Sequence, residues 1–64
     1  MNLQEFVGKM VYIFANGISY QGVLESDNKE SIRLIGEYDG QEVLIIIPKI
    51  GIDSIIVPMG KRHE

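Results

Sequence analysis

The sequence predicts an all-β fold: a short N-terminal helix followed by a five-stranded, strongly bent antiparallel barrel. Three observations carry that expectation. Asn16-Gly17 lies between apolar runs and signals a two-residue type I′ hairpin, because both residues tolerate positive φ. Gly22 stands in the middle of the strand pattern that follows, where a glycine marks a bend or a close backbone approach. Asp39-Gly40 marks a second hairpin between two further apolar runs. Short strands, tight turns and a mid-strand bend are the ingredients with which a small sheet curls into a barrel.

At the N-terminus, Asn2 followed by Glu5 resembles a capping box, and Leu3, Phe6 and Val7 share one helical face before Gly8 stops the helix. A helix of under two turns is too short to stand alone and must pack on the sheet. The first strand, Met10 to Ala15, is apolar on both alternating sets, Met10, Tyr12 and Phe14 against Val11, Ile13 and Ala15, which predicts cover on both sides. The second strand runs from Ile18 to about Ser26, and Asp27-Asn28-Lys29-Glu30 breaks it. Ser31 to Ile35 is the third strand, with Ile32 and Leu34 on one face. Glu42 to Ile47 is the fourth and most hydrophobic. Pro48 to Gly51 interrupts, and Ile52 to Val57 is the fifth, ended by Pro58. One domain over 1–58 and a polar tail over 59–64 complete the layout.

The 64 residues make one domain at most, near the lower limit of independent stability. Small scaffolds compensate with disulfides, metals or oligomerisation. No cysteine is present and the single histidine is His63, so disulfides and a thiolate or histidine metal site drop out. Oligomerisation is the stabiliser that remains. The 45% apolar content excludes a disordered chain. No signal peptide is expected, neither Met10 to Ala15 nor the aliphatic run Val43 to Ile47 is long enough to span a bilayer, and neither membrane insertion nor a cofactor is expected. A cytoplasmic location fits the lack of cysteine.

The run Val43 to Ile47 poses a packing problem. On any alternation it leaves Leu44 and Ile46, or Val43, Ile45 and Ile47, outside a single-layer barrel, and a long apolar strand in water is an aggregation template. A neighbouring subunit covering it resolves the problem better than the short helix and tail of the same chain. The charge balance, nine acidic residues against six basic for a net charge of -3, weighs against extensive phosphate contact. Lys61-Arg62 is the one basic pair. Enzymatic readings are weak: the acids are scattered over turns and strand ends, and there is no Ser-His-Asp set, phosphate-cradling loop or metal cluster.

The stretch from Val11 to Ser26, with its Asn16-Gly17-Ile18-Ser19-Tyr20-Gln21-Gly22 string, resembles the first motif of the Sm-like (LSm) fold family, in its bacterial RNA-chaperone (Hfq) form. Gly51 to Pro58 is similar to the end of the second motif. The resemblance implies a ring of roughly six or seven subunits. It also implies that the fourth strand of one copy pairs with the fifth strand of the next, which would place Val43, Leu44, Ile45, Ile46, Ile55 and Val57 at the interface. It further implies that single-stranded RNA binds on the face carrying the first turn, through Asn16, Gly17, Ile18, Tyr20 and Gln21. There Tyr20 would supply a stacking ring and Gln21 an adenine-reading amide. Lys49 would be the cation of the second pore loop. Two departures bear on the pore: Glu30 stands where that family carries a stacking residue, and Lys49-Ile50-Gly51 replaces its Tyr-Lys-His signature. Uridine ends are therefore expected to bind poorly. Two functions follow: an RNA-binding ring, or an oligomeric protein-interaction scaffold that has lost its nucleotide contacts. A generic SH3-like barrel, with no ring, is a third reading.

Overall fold

A computed structural model describes residues 2–60. Its order is a 3-10 turn at Gln4–Phe6, then β1 (Met10–Ala15), β2 (Ile18–Asp27), β3 (Ser31–Tyr38), β4 (Gln41–Pro48), a second 3-10 turn at Lys49–Gly51, and β5 (Ile52–Ile56). All five strands form one antiparallel sheet in the order β4-β3-β2-β1-β5. Both hairpins turn on the residues the sequence nominates. Asn16 and Gly17 have φ of 52° and 78°, and Asp39 and Gly40 have 53° and 77°, the paired positive values that a type I′ turn requires.

The expected N-terminal helix is a single 3-10 turn. Asn2 Oδ1 accepts the Gln4 N–H at 3.0 Å, as a capping residue would. The chain then leaves at Gly8, with φ 92°, whose N–H donates to the Leu24 carbonyl at 2.8 Å and so extends the β1–β2 ladder. Seven residues cannot both complete two helical turns and make that junction. Leu3 is buried and Phe6 packs against the core, but Val7 is exposed, so the predicted three-residue face is only partly used.

Alternation decides the core. Val11, Ile13 and Ala15 of β1, Leu24 of β2, Ile32 and Leu34 of β3 and Ile47 of β4 point to one face and are buried. Among the described residues only the N-terminal 3-10 turn, through Leu3 and Phe6, adds to this core and no second sheet covers it, so the sheet must curve over its own inner face. The contacts of β2 show the same thing. A straight ten-residue strand spans about 30 Å. Yet the turn before β2 and the end of β2 both touch the Lys49–Gly51 turn: the Asn16 N–H donates to the Gly51 carbonyl at 3.2 Å, and Lys49 Nζ lies 2.6 Å from Asp27 Oδ1. Three residues bridge the two ends, so β2 is sharply bent. Gly22 permits a close approach within it, because a Cβ there would sit 2.6 Å from the Ile35 carbonyl oxygen. The register also shifts between Leu24 and Ser26, a bulge that adds to the bend.

Two sequence expectations need correction. The sheet is not a barrel closed by hydrogen bonds, since β4 and β5 are its two edges and do not pair with each other within the chain. Nor is β1 covered on both sides, because Met10, Tyr12 and Phe14 stay exposed. These side chains join Val23, Leu44, Ile46 and Ile56 on an apolar outer face, with Leu44, Ile35, Val23 and Met10 in one row across four strands. No helix among the described residues is long and apolar enough to cross a membrane.

Candidate functional site

The candidate site grows from a break in the sheet. The β2–β3 ladder begins at Val23↔Ile35 and runs toward Asp27↔Ile32, so it never reaches Ile18 to Gly22. On the other side those residues stay paired to β1, through Ala15↔Ile18 to Val11↔Gly22. Antiparallel pairs alternate between hydrogen-bonded and open, and a two-residue hairpin closes on a bonded pair. Ala15↔Ile18, Ile13↔Tyr20 and Val11↔Gly22 are thus the bonded pairs. The N–H and C=O groups of Ser19 and Gln21 point away from β1, toward β3. The Gln21 carbonyl indeed reaches Gly36, where a Cβ would sit 3.0 Å from it. The strands touch at Gly22 and Gly36, then diverge toward the two hairpin tips.

A groove of about 460 Å3 opens in this notch. Its apolar lining comes from Ile18 and Tyr20 of β2, Tyr38 of β3, and Val43 and Ile45 of β4. Ser19, Gln21 and Glu37 are the polar members, and Glu37 is the one ionisable carboxylate among them. Glu37 lies directly opposite Glu42 on β4, with Asp39 in the turn beyond. No ion pair joins any of these acids to another described residue. A second depression, of about 390 Å3, lies beside Gly22 and Gly36, against Met10, Val23 and Ile35.

Of the residues nominated for RNA binding, Ile18, Tyr20 and Gln21 line the groove, whereas Asn16, Gly17 and Lys49 do not. Asn16, Gly17 and Ile18 are exposed at the hairpin, with Ile18 53% accessible. The Asn16 carboxamide rests on Gly51, where a Cβ would come within 2.5 Å of its Nδ2, so the hairpin is seated on the second 3-10 turn. Tyr20 is half-buried and packs against the core. Gln21, the next residue along the strand, points to the opposite, outer face across from Tyr12. The stacking ring and the reading amide therefore do not share a face.

Lys49 lies outside the groove. Its ammonium meets Asp27, the two side chains being 19% and 8% exposed, and its N–H donates to the Glu30 carbonyl at 2.9 Å. Asp27 Oδ2 also accepts the Leu3 N–H at 2.8 Å. The Lys49 ammonium, and after it the Leu3 N–H, holds the Asp27 carboxyl below the usual carboxylate range, against the opposing effect of burial. Asp27 thus ties the N-terminal turn to the β4–β5 connection.

Of the expected interface residues, Leu44 and Ile46 are 49% and 55% exposed, Val43 is half-buried, and Ile45, Ile55 and Val57 are half-buried against the chain's own core. Glu37, and Asp27 as the partner of Lys49, are missing from the residues nominated by sequence. Gly36 opposite Gly22 was the one available signal for the notch. Lys61, Arg62 and His63 fall outside the described residues. No protein-family model and no curated protein matches the chain. Fold and site together define a small, one-sheet antiparallel β protein with two open edges and an apolar notch.

Proposed function

We propose that the protein is a self-assembling subunit of the Sm-like kind, its bent sheet completing a barrel-like ring in which β4 of one copy pairs with β5 of the next. The assembled form serves as a protein-interaction scaffold. One observation carries this reading: the sheet ends in two edge strands, β4 and β5, each paired on one side only, with exposed Leu44, Ile46 and Ile56 on them. An open apolar edge in a small soluble chain is a liability that pairing removes. A head-to-tail β4–β5 contact that closes on itself gives a cyclic oligomer. Light scattering tests it. The expected mass is roughly six or seven times that of one chain, and a monodisperse 7.2 kDa species at high micromolar concentration overturns it.

Single-stranded RNA on the Asn16 face is the second reading. The exposed hairpin, Ile18 and the backbone of Ser19, which faces the notch, favour it. Lys49 against Asp27, and Glu37 rather than a cation in the groove, favour the scaffold. Anisotropy titration with labelled oligo-A and oligo-U at low salt separates the two, because phosphate-driven binding weakens steeply with added salt.

A further inference from the structure

We infer that the notch between β2 and β3 accepts an extended peptide strand that alternates apolar and basic residues. This names the partner class for the scaffold reading above and rests on it. The occupant follows from three features of the groove. The backbone N–H and C=O of Ser19 point into the notch, where the β2–β3 ladder has stopped and before the strands meet at Gly22 and Gly36, which is the hydrogen-bonding edge that β-strand addition uses. The floor is apolar, made by Ile18, Tyr20, Val43 and Ile45. The rim is acidic: Glu37 lines the groove, and Asp39 and Glu42 lie in the same hairpin, with no lysine or arginine in the lining.

These features select one pattern. A peptide of about three residues spans roughly 10 Å and matches Ile18 to Tyr20. Its alternate side chains point to opposite faces. One set enters the apolar floor. The other meets the carboxylates, and the facing Glu37 and Glu42 gain a counter-charge that no described residue supplies at that pair. An anionic strand, nucleic acid included, meets carboxylate at the rim and no cation in the lining. The free hydrogen-bonding edge of β4 lies on the side of that strand away from β3, so assembly through it leaves the notch open.

The test is fluorescence anisotropy on the full chain with a labelled peptide of alternating arginine and valine. The controls are the same peptide with glutamate for arginine and a labelled oligo-A. The arginine peptide is expected to bind, the glutamate peptide not. Glu37→Lys should weaken binding by about tenfold, through lost attraction and new repulsion. Ile18→Asp, at an exposed position, should weaken it while leaving the far-UV circular dichroism unchanged. Equal binding of both peptides, no binding at several hundred micromolar, or an unchanged affinity in both variants overturns the proposal. Oligo-A binding that Ile18→Asp abolishes, without peptide binding, assigns the notch to RNA instead. Light scattering on the same samples reports assembly separately, so a monomer that binds the peptide refutes the ring and keeps the notch.

Discussion

Gly22 and Asp27 sit four residues beyond the notch's open end and at the end of β2, and each carries a measurable consequence. A side chain at Gly22 meets the Ile35 carbonyl oxygen at 2.6 Å and Leu34 Cβ at 3.2 Å. The first of these is backbone and cannot swing aside. Gly22→Val should therefore cost roughly 2 kcal/mol or more, whereas Ser19→Val, exposed on the same strand, should stay within about 0.5 kcal/mol of the parent. Urea midpoints measure the difference, and coincident midpoints would refute the close approach. Asp27 is read through pH. Its folded-state pKa lies below that of the unfolded chain, so its contacts stabilise the fold above the unfolded value and are lost as pH falls through the folded one. Asp27→Asn should lower the melting temperature near neutrality, and the deficit should shrink as the parent is acidified through the carboxylate range. A deficit independent of pH would show that the ion pair with Lys49 contributes nothing.

At the scale of elements, the β3–β4 hairpin is the least internally consistent piece. Its turn is ideal, with Asp39 and Gly40 both at positive φ. Yet Glu37 and Glu42 face each other directly across the strands. Like charges in that position are destabilising. Glu42→Lys converts the repulsion into attraction and should stabilise the chain by about 0.5 kcal/mol, raising the melting temperature by roughly 2–4 °C for a domain of this size. A lower melting temperature would mean that the two carboxylates do not interact. The conflict is consistent with a hairpin kept acidic for a partner, since sequence choices that oppose local stability concentrate at functional sites.

For the whole molecule, the decisive feature is the apolar outer face that runs from Leu44 through Ile35 and Val23 to Met10. The inner face is saturated by its own side chains, so this face finds no cover within the described chain. Ile46 is already 55% exposed, so a lysine there buries no charge in the single chain and leaves its fold intact. Ile46→Lys should dissociate the assembly into folded monomers, read as a fall in scattering mass with unchanged circular dichroism. The parent's melting temperature should rise with protein concentration, as mass action demands of an assembly, and that of Ile46→Lys should not. An Ile46→Lys protein with the parent's mass would exclude β4 from the contact.

The sequence by itself determined that there are five strands, where both hairpins turn and which residues of a strand share a face, because these depend on local rules, whereas which face of β1 is the core was decided by the tertiary structure. Positive φ restricts turn residues to types such as Asn-Gly and Asp-Gly, and period-two alternation assigns Val11, Ile13, Ile32 and Leu34 to one face. The β3 strand runs on to Tyr38 because its pairing with β4 continues to the turn, a fact its own composition does not carry. Only the tertiary structure decided the rest. The N-terminal residues form one 3-10 turn because Gly8 must reach Leu24. Lys49 becomes a structural cation because a bent β2 delivers Asp27 to it from across the chain. The notch exists because two glycines far apart in sequence let β2 and β3 touch and then separate. Each of these depends on which distant residues meet, and that is set by strand register and curvature rather than by any local pattern.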